Sequence, residues 1–184
     1  PELYAKDMAK VAGNYGSPEH RLLIGQNTRR VYDLWTGRGV IFKDIKGLGG
    51  HSVKRALWAD GGGRGIILPL HEYIQKSLPN CTMRKETKVD DIVFDGSGRV
   101  IGVQVREGYR FDYSAKNDDK ENQSGFVAYY KANKGVIFAS GGFCRDTEFM
   151  GAESPVFSAA QTVASPGALS GTIKMLMKNK AHPV

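Results

Sequence analysis

Cysteine is almost absent from this chain. Cys81 and Cys144 are the only two; they form no CxxC pair and have no histidine at metal-ligand spacing. That argues against a disulfide-built scaffold and the common zinc frameworks, and points to free thiols in a reducing compartment. No apolar run approaches the roughly 20 residues a membrane-spanning helix needs, so no membrane span is expected. Dense charge of one sign is missing too. The 26 basic residues outnumber 19 acidic ones for a net charge of +7, but they are scattered, with only the doublets Arg29-Arg30, Lys54-Arg55 and Arg84-Lys85. With no RNP, zinc-finger or helix-turn-helix pattern, the excess reads as a solvated basic surface. No nucleic-acid partner is expected, and attraction of a small anion remains compatible with the charge. No signal-peptide pattern opens the sequence, which by itself excludes nothing. Because the numbering begins at Pro1 rather than at methionine, the expectation is an internal piece of a longer protein.

What the chain has in excess is glycine, 23 residues of 184, which suggests tight turns or close approaches of backbone to a ligand. Residues 1–42 read as a helical segment. Ser17-Pro18-Glu19 supplies a capping hydroxyl, a proline at the first helical position and an acid in the first turn. Leu23, Ile24, Val31, Leu34 and Trp35 follow at helical spacing, and the helix should end near Thr36-Gly37. Residues 43–65 show no sustained period and read as a long glycine-rich loop. Residues 66–80 read as a helix, with Pro69 tolerable only in its first turn.

From residue 83 to 133 the period changes to two. Val89 to Phe94 and Val100 to Arg106 flank the turn Asp95-Gly96-Ser97-Gly98, and Phe126 to Lys131 adds a third strand. The three predict an antiparallel meander. Residues 114–125, SAKNDDKENQSG, lack apolar anchors beyond Ala115 and read as a mobile loop. In the last part, residues 135–184, Gly135 to Ala139 is continuously apolar, as a core strand covered on both faces should be. A final helix is expected from about Ser170 to Asn179. The fold class is therefore mixed, α+β or α/β, with helices, a three-stranded antiparallel β-meander and one core strand.

Three glycine-bearing stretches are candidate ligand contacts. The apolar run 135–139 stops at Ser140-Gly141-Gly142, and ligands of open α/β sheets lie beyond strand carboxyl ends; an ordinary glycine turn explains the same residues. Asp60 to Gly65 precedes a helix and suits a phosphate cradle or a plain connection, and it matches neither a Walker loop nor a GxGxxG after a strand. PGALSGT, 166–172, opens the last helix with Ser170 as a candidate cap. His51 and Arg55 are close enough in sequence to meet an anion together, or simply to be solvated. No Ser-His-Asp set, paired carboxylates or metal cluster can be assembled, so neither a catalytic residue nor a metal ligand is assigned.

The order of these stretches carries more than any one of them. GLGGHSVKRALWADGGGRG, then ETKVDDIVFDGSGRVIGVQV, KGVIFASGGFCRD and ASPGALSGTIKMLMKNKA together resemble the flavoprotein subunits of fumarate reductase and succinate dehydrogenase. The likeness is greatest to the soluble flavocytochrome c-like branch and covers nearly the whole chain. The resemblance implies part of a Rossmann-like FAD-binding domain and an FAD-dependent oxidoreductase. Such an enzyme passes hydride between flavin N5 and a carbon–carbon bond flanked by carboxylate or carbonyl groups, in reduction or desaturation. It implies that backbone at Val89 holds the adenine and that Ser140, Gly141 and Gly142 lie near the FAD. Relatives carry Thr-Gly-Asp-Gly before the last helix where this chain has Leu169-Ser170-Gly171-Thr172. The resemblance therefore implies that the carboxylate contact is lost or passes to the backbone amides of Ser170 and Gly171.

The family's dinucleotide fingerprint is expected before Pro1, and its substrate cap and catalytic arginine after Val184. His182-Pro183 is similar to a His-Pro-Thr of the family, but its spacing from the last helix is too short for a match. The implied partners are a small anionic substrate such as a dicarboxylate and an electron-donor protein or domain. Cytoplasmic and periplasmic locations both stay open. The expectation for the chain alone is an inactive fragment without bound flavin. The alternative is a self-contained, non-catalytic binding module.

Overall fold

A computed structural model describes residues 1–157 and 159–181. It divides into two compact units, Pro1–Met83 and Arg84–Val184. Among the described residues it is a mixed α/β structure with six α-helices and five strands, all paired strands being antiparallel.

The first unit opens with α1 (Glu2–Val11) and α2 (Pro18–Thr36). The start of α2 follows from its sequence. The Ser17 hydroxyl accepts the His20 N–H at 3.2 Å, and Pro18 occupies the first turn, where its missing N–H costs nothing. The segment expected to be one long loop instead contains a hairpin, β1 (Phe42–Lys46) against β2 (Ala56–Ala59). These strands are too short to show a period of two. They are fixed by contacts distant in sequence: Phe42 stacks on Tyr32 and Trp35 of α2, and Ala59 is buried.

The loop joining the two strands is tied to α1 through Asp7, which is buried. Asp7 accepts both the N–H and the hydroxyl of Ser52 at 2.9 Å and pairs with Arg55 at 2.8 Å. The Ser52 N–H, with help from the Ser52 hydroxyl and Arg55, holds the Asp7 carboxyl below its usual range against the opposing pull of burial. Arg55 is thus partnered within the fold rather than held out for an anion. Helix α3 runs Gly62–Ser77, so it begins four residues before the expected start, and Pro69 lies inside the helix rather than in its first turn.

The second unit is built on the expected meander, β3 (Thr87–Phe94), β4 (Val100–Glu107) and β5 (Phe126–Lys131), in the order β3-β4-β5. Val105 at the sheet centre is 1% exposed. Asp95 builds the β3–β4 turn by accepting the Ser97 hydroxyl and the N–H groups of Ser97 and Arg99, the local chemistry that favours aspartate in turns. A β-bulge separates Val89 from Asp91 in the pairing with β4, leaving Asp90 as the extra residue.

Two expectations fail in this unit. Residues 135–142 form no strand. No backbone hydrogen bond joins them to a neighbouring strand among the described residues, and Ile137 is 93% exposed. An apolar run alone does not make a strand; it needs a ladder partner. Residues 114–125 are not a loose loop either. They contain α4 (Asp118–Glu121), and Asp118 is 3% exposed. A polar network replaces the missing apolar anchor: Asp118 accepts the Tyr109 hydroxyl, the Asp112 N–H at 2.7 Å and the Asn122 amide at 2.7 Å.

The unit closes with α5 (Thr147–Glu153) and α6 (Gly171–Lys178). Lys178 of α6 reaches Asp91 of β3 at 3.1 Å. His182 and Pro183 lie outside the described residues.

Candidate functional site

A cavity of about 570 Å³ opens within the second unit, inside the usual size range for small-molecule sites. Its walls come from β3 and Val103 of β4, from Tyr109, Phe111 and the start of α4, from residues 136–140, and from the turn into α6. It collects Val89, Ser140 and Gly171, three of the six residues expected at a cofactor.

Each segment contributes for a local reason. Strand β3 is an edge of its sheet among the described residues. Alternate backbone N–H and C=O groups along an edge strand face away from the ladder and are open to a ligand. The bulge at Asp90 redirects that side chain, and Arg106 holds it with bonds of 2.7 and 3.2 Å. Residues 136–140 line the cavity without forming a strand, and Gly141 follows with φ +87°, a conformation that disfavours any side chain. That left-handed backbone explains why an apolar run stops on glycine. Gly171 begins α6 and stands where a β-carbon would fall 2.5 Å from Asp119 Oδ2.

Gly141, Gly142 and Ser170 do not line the cavity. Ser170 is 1% exposed. Its hydroxyl makes no cap bond to α6; it donates instead to the Asp146 carboxylate, which itself caps α5 by accepting the Phe149 N–H at 3.0 Å. Burial pushes the Asp146 carboxyl up, but the bonds from Ser170 and Phe149, with Lys174 at 3.5 Å, outweigh it and bring its pKa down to about 2.

The polar wall was not foreseen from the sequence. Lys88 pairs with Asp119 at 2.9 Å, and Lys88 and Arg106 each lie over the Tyr109 ring, at 5.3 and 5.0 Å. Lys88, Asp90, Tyr109, Asp118 and Asp119 all line the cavity. The available signal was Asn117-Asp118-Asp119, a run of residues that start helices, inside a stretch read only as solvated.

A larger groove of about 770 Å³ lies in the first unit, between α2 residues such as Leu23, Val31 and Trp35 and strand residues Phe42 and Leu57. Its one charged lining residue, Arg55, is already paired with Asp7. A few convergent polar groups on an apolar wall mark a cofactor site better than volume does, and the second-unit cavity has them. Among the described residues, no group of three metal-ligating side chains stands together, and no helix is long and apolar enough to cross a membrane.

Comparison with known proteins shows the family. Residues 6–183 match a family model described as an FAD binding domain. The acrylate reductase flavoprotein subunit of Shewanella woodyi is 33% identical over 142 residues, which cover 76% of this chain and 26% of that protein. The fumarate reductase (cytochrome) of Shewanella frigidimarina is 26% identical over 196 residues, covering 100% of this chain and 31% of that protein. The chain thus spans under a third of the length of these relatives. Among solved structures, the open conformation of a flavocytochrome c3 fumarate reductase superposes with a TM-score of 0.81 at 18% identity, covering 97% of this chain and 29% of the other.

Proposed function

The chain belongs to the FAD binding domain family, and on that premise we propose that it is the part of a larger oxidoreductase that holds FAD in the cavity lined by Val89, Ser140 and Gly171. The observation that carries the reading is their convergence. The three residues lie on three separate segments, yet they meet in one cavity whose size and mixed lining suit part of a dinucleotide. The exposed backbone edge at Val89 is suited to the adenine. Ser140 and Gly171 present backbone without bulky side chains. Gly141 sets the left-handed backbone beside Ser140, and Gly142 follows it in the chain. Ser170 acts at one remove, fixing the start of α6 through Asp146. Val103 and Phe138 supply apolar wall that keeps water from the ligand.

When bound, FAD supplies hydride exchange at N5 with a carbon–carbon bond activated by a neighbouring carboxylate or carbonyl group. The protein's part is to bind, orient and exclude water. No residue of this chain is assigned to proton transfer; an arginine outside it is expected to serve. Two of the relatives are named for reducing acrylate and fumarate, both carboxylate-bearing alkenes, and a small anion of this class suits the chain's charge of +7. Desaturation in the reverse direction uses the same groups, and an electron-donor protein or domain would complete the cycle. The apolar groups left at the surface, Ile137 at 93% and Val156 at 89% exposure, are consistent with a piece whose neighbours complete its core.

The intact polypeptide carrying this chain is to be loaded with FAD, reduced anaerobically with dithionite, and offered acrylate, fumarate or the saturated succinate. Reoxidation of the flavin by an unsaturated acid but not by succinate supports the proposal. A polypeptide that takes up no flavin, or a reduced flavin that none of these acids reoxidises, contradicts it.

A further inference from the structure

Both cations at the polar wall of the cavity are already paired. Lys88 is held by Asp119 at 2.9 Å, and Arg106 is held by Asp90 through two bonds. Asp118 takes its bonds from Tyr109, Asp112 and Asn122, none of them a cation. Two cations therefore face three carboxylates, and this end of the cavity carries an excess of negative charge.

The start of α6 completes the pattern. The first N–H groups of a helix, with the positive end of its dipole, attract anions and are a common seat for phosphate. Here the Gly171 N–H donates to Asp119 Oδ2 at 2.8 Å, while Oδ1 of the same carboxylate meets Lys88. Ser170 is turned away toward Asp146 and does not cap. The carboxylate arrives from α4, 52 residues earlier in the chain. Its seat depends on the absence of a side chain at Gly171, where a β-carbon would overlap it at 2.5 Å from Oδ2 and 2.8 Å from Cγ.

We propose that Asp119 is a specificity-determining residue, an internal anion that closes the α6 amino terminus to phosphate. The end of the cavity at Gly171 then receives an uncharged, hydroxyl- or amino-bearing part of its ligand, and the diphosphate lies elsewhere. This rests on the FAD reading for the ligand, but the exclusion of phosphate is a property of the chain itself. A phosphate approaching the Gly171 N–H meets the Asp119 carboxylate already seated there.

The test uses the intact polypeptide carrying this chain, freed of flavin, labelled with ¹⁵N and titrated with inorganic pyrophosphate while the Gly171 and Thr172 amides are followed. The wild-type chain should show no saturable shift at these amides. Asp119→Ala should show one, with an apparent affinity about tenfold or more higher and weakened by added salt. Asp119→Asn keeps an oxygen for the Gly171 N–H but not the charge, and it should also gain binding, to a smaller extent. If Asp119→Ala does not fold, the near-isosteric Asp119→Asn decides the matter. Wild-type binding as tight as the variants', or no gain in a folded variant, overturns the proposal. A parallel titration with FAD separates the two readings. Shifts at Val89 and Ser140 with pyrophosphate also bound at wild-type Gly171 sink this proposal alone. Absence of any FAD response at the cavity sinks the FAD reading, while the pyrophosphate contrast still stands or falls by itself.

Discussion

Ser170 donates its hydroxyl to the carboxylate of Asp146, and the two residues are 1% and 2% exposed. The pair joins the start of α6 to the start of α5, because Asp146 also accepts the Phe149 N–H. A serine that sequence reasoning places at a cofactor is thus a structural tie, and the ionised state of its partner matters for stability.

That tie predicts a particular acid sensitivity. The Asp146 pKa is about 2 in the fold against an ordinary 3.8. A folded-state value below the unfolded one means stability that is complete above the unfolded pKa and is lost as pH falls through the folded one. The contribution is about 2 kcal/mol, fading between roughly pH 4 and pH 2. Chemical denaturation across this range should show the decline in the wild type and a flatter profile in Asp146→Asn. Parallel profiles for the two proteins would remove Asp146 from the explanation.

The meander predicts an asymmetry between two glycines. A β-carbon at Gly102 would lie 2.3 Å from the Tyr130 carbonyl oxygen, so β4 and β5 must separate to admit it. Gly102→Ala should cost about 1–3 kcal/mol, measured as a lower denaturation midpoint. Gly96→Ala meets nothing within 4 Å and should leave the midpoint nearly unchanged. Equal effects at the two positions would mean the strand spacing is not as described.

In the first unit, Asp7 is the acceptor on which the 47–55 loop depends. Asp7→Ala removes the partner of Ser52 N–H, Ser52 hydroxyl and Arg55 together. The expected loss is about 1–3 kcal/mol, with faster amide exchange at Ser52 than in the wild type. Exchange at Ser52 that is unaltered by the substitution would show that the loop is held by something else.

These cases also show where the sequence could be read and where it could not. Helix α2 and the β3–β4 turn carry their instructions locally, in Ser17-Pro18 and in Asp95-Gly96-Ser97-Gly98, and both form where those residues stand. The β1–β2 hairpin was hidden because Ala56–Ala59 is four residues long and owes its place to aromatic contacts made by another element. Residues 135–139 misled in the opposite direction: apolar composition gave the look of a core strand, while strand formation depends on a partner that composition does not reveal. At the cavity, backbone-bearing positions such as Val89, Ser140 and Gly171 could be found by resemblance. Lys88, Tyr109, Asp118 and Asp119 could not, because their meaning lies in bonds to one another across the fold.

The central claim is that FAD is held where Val89, Ser140 and Gly171 converge, and amide chemical shifts of the labelled 184-residue chain titrated with millimolar FAD test it most directly. Shifts concentrated at those three residues, weak enough that the chain purifies colourless, are the predicted result. Shifts confined to the groove of residues 1–83, or no shift at the three cavity residues, would contradict it.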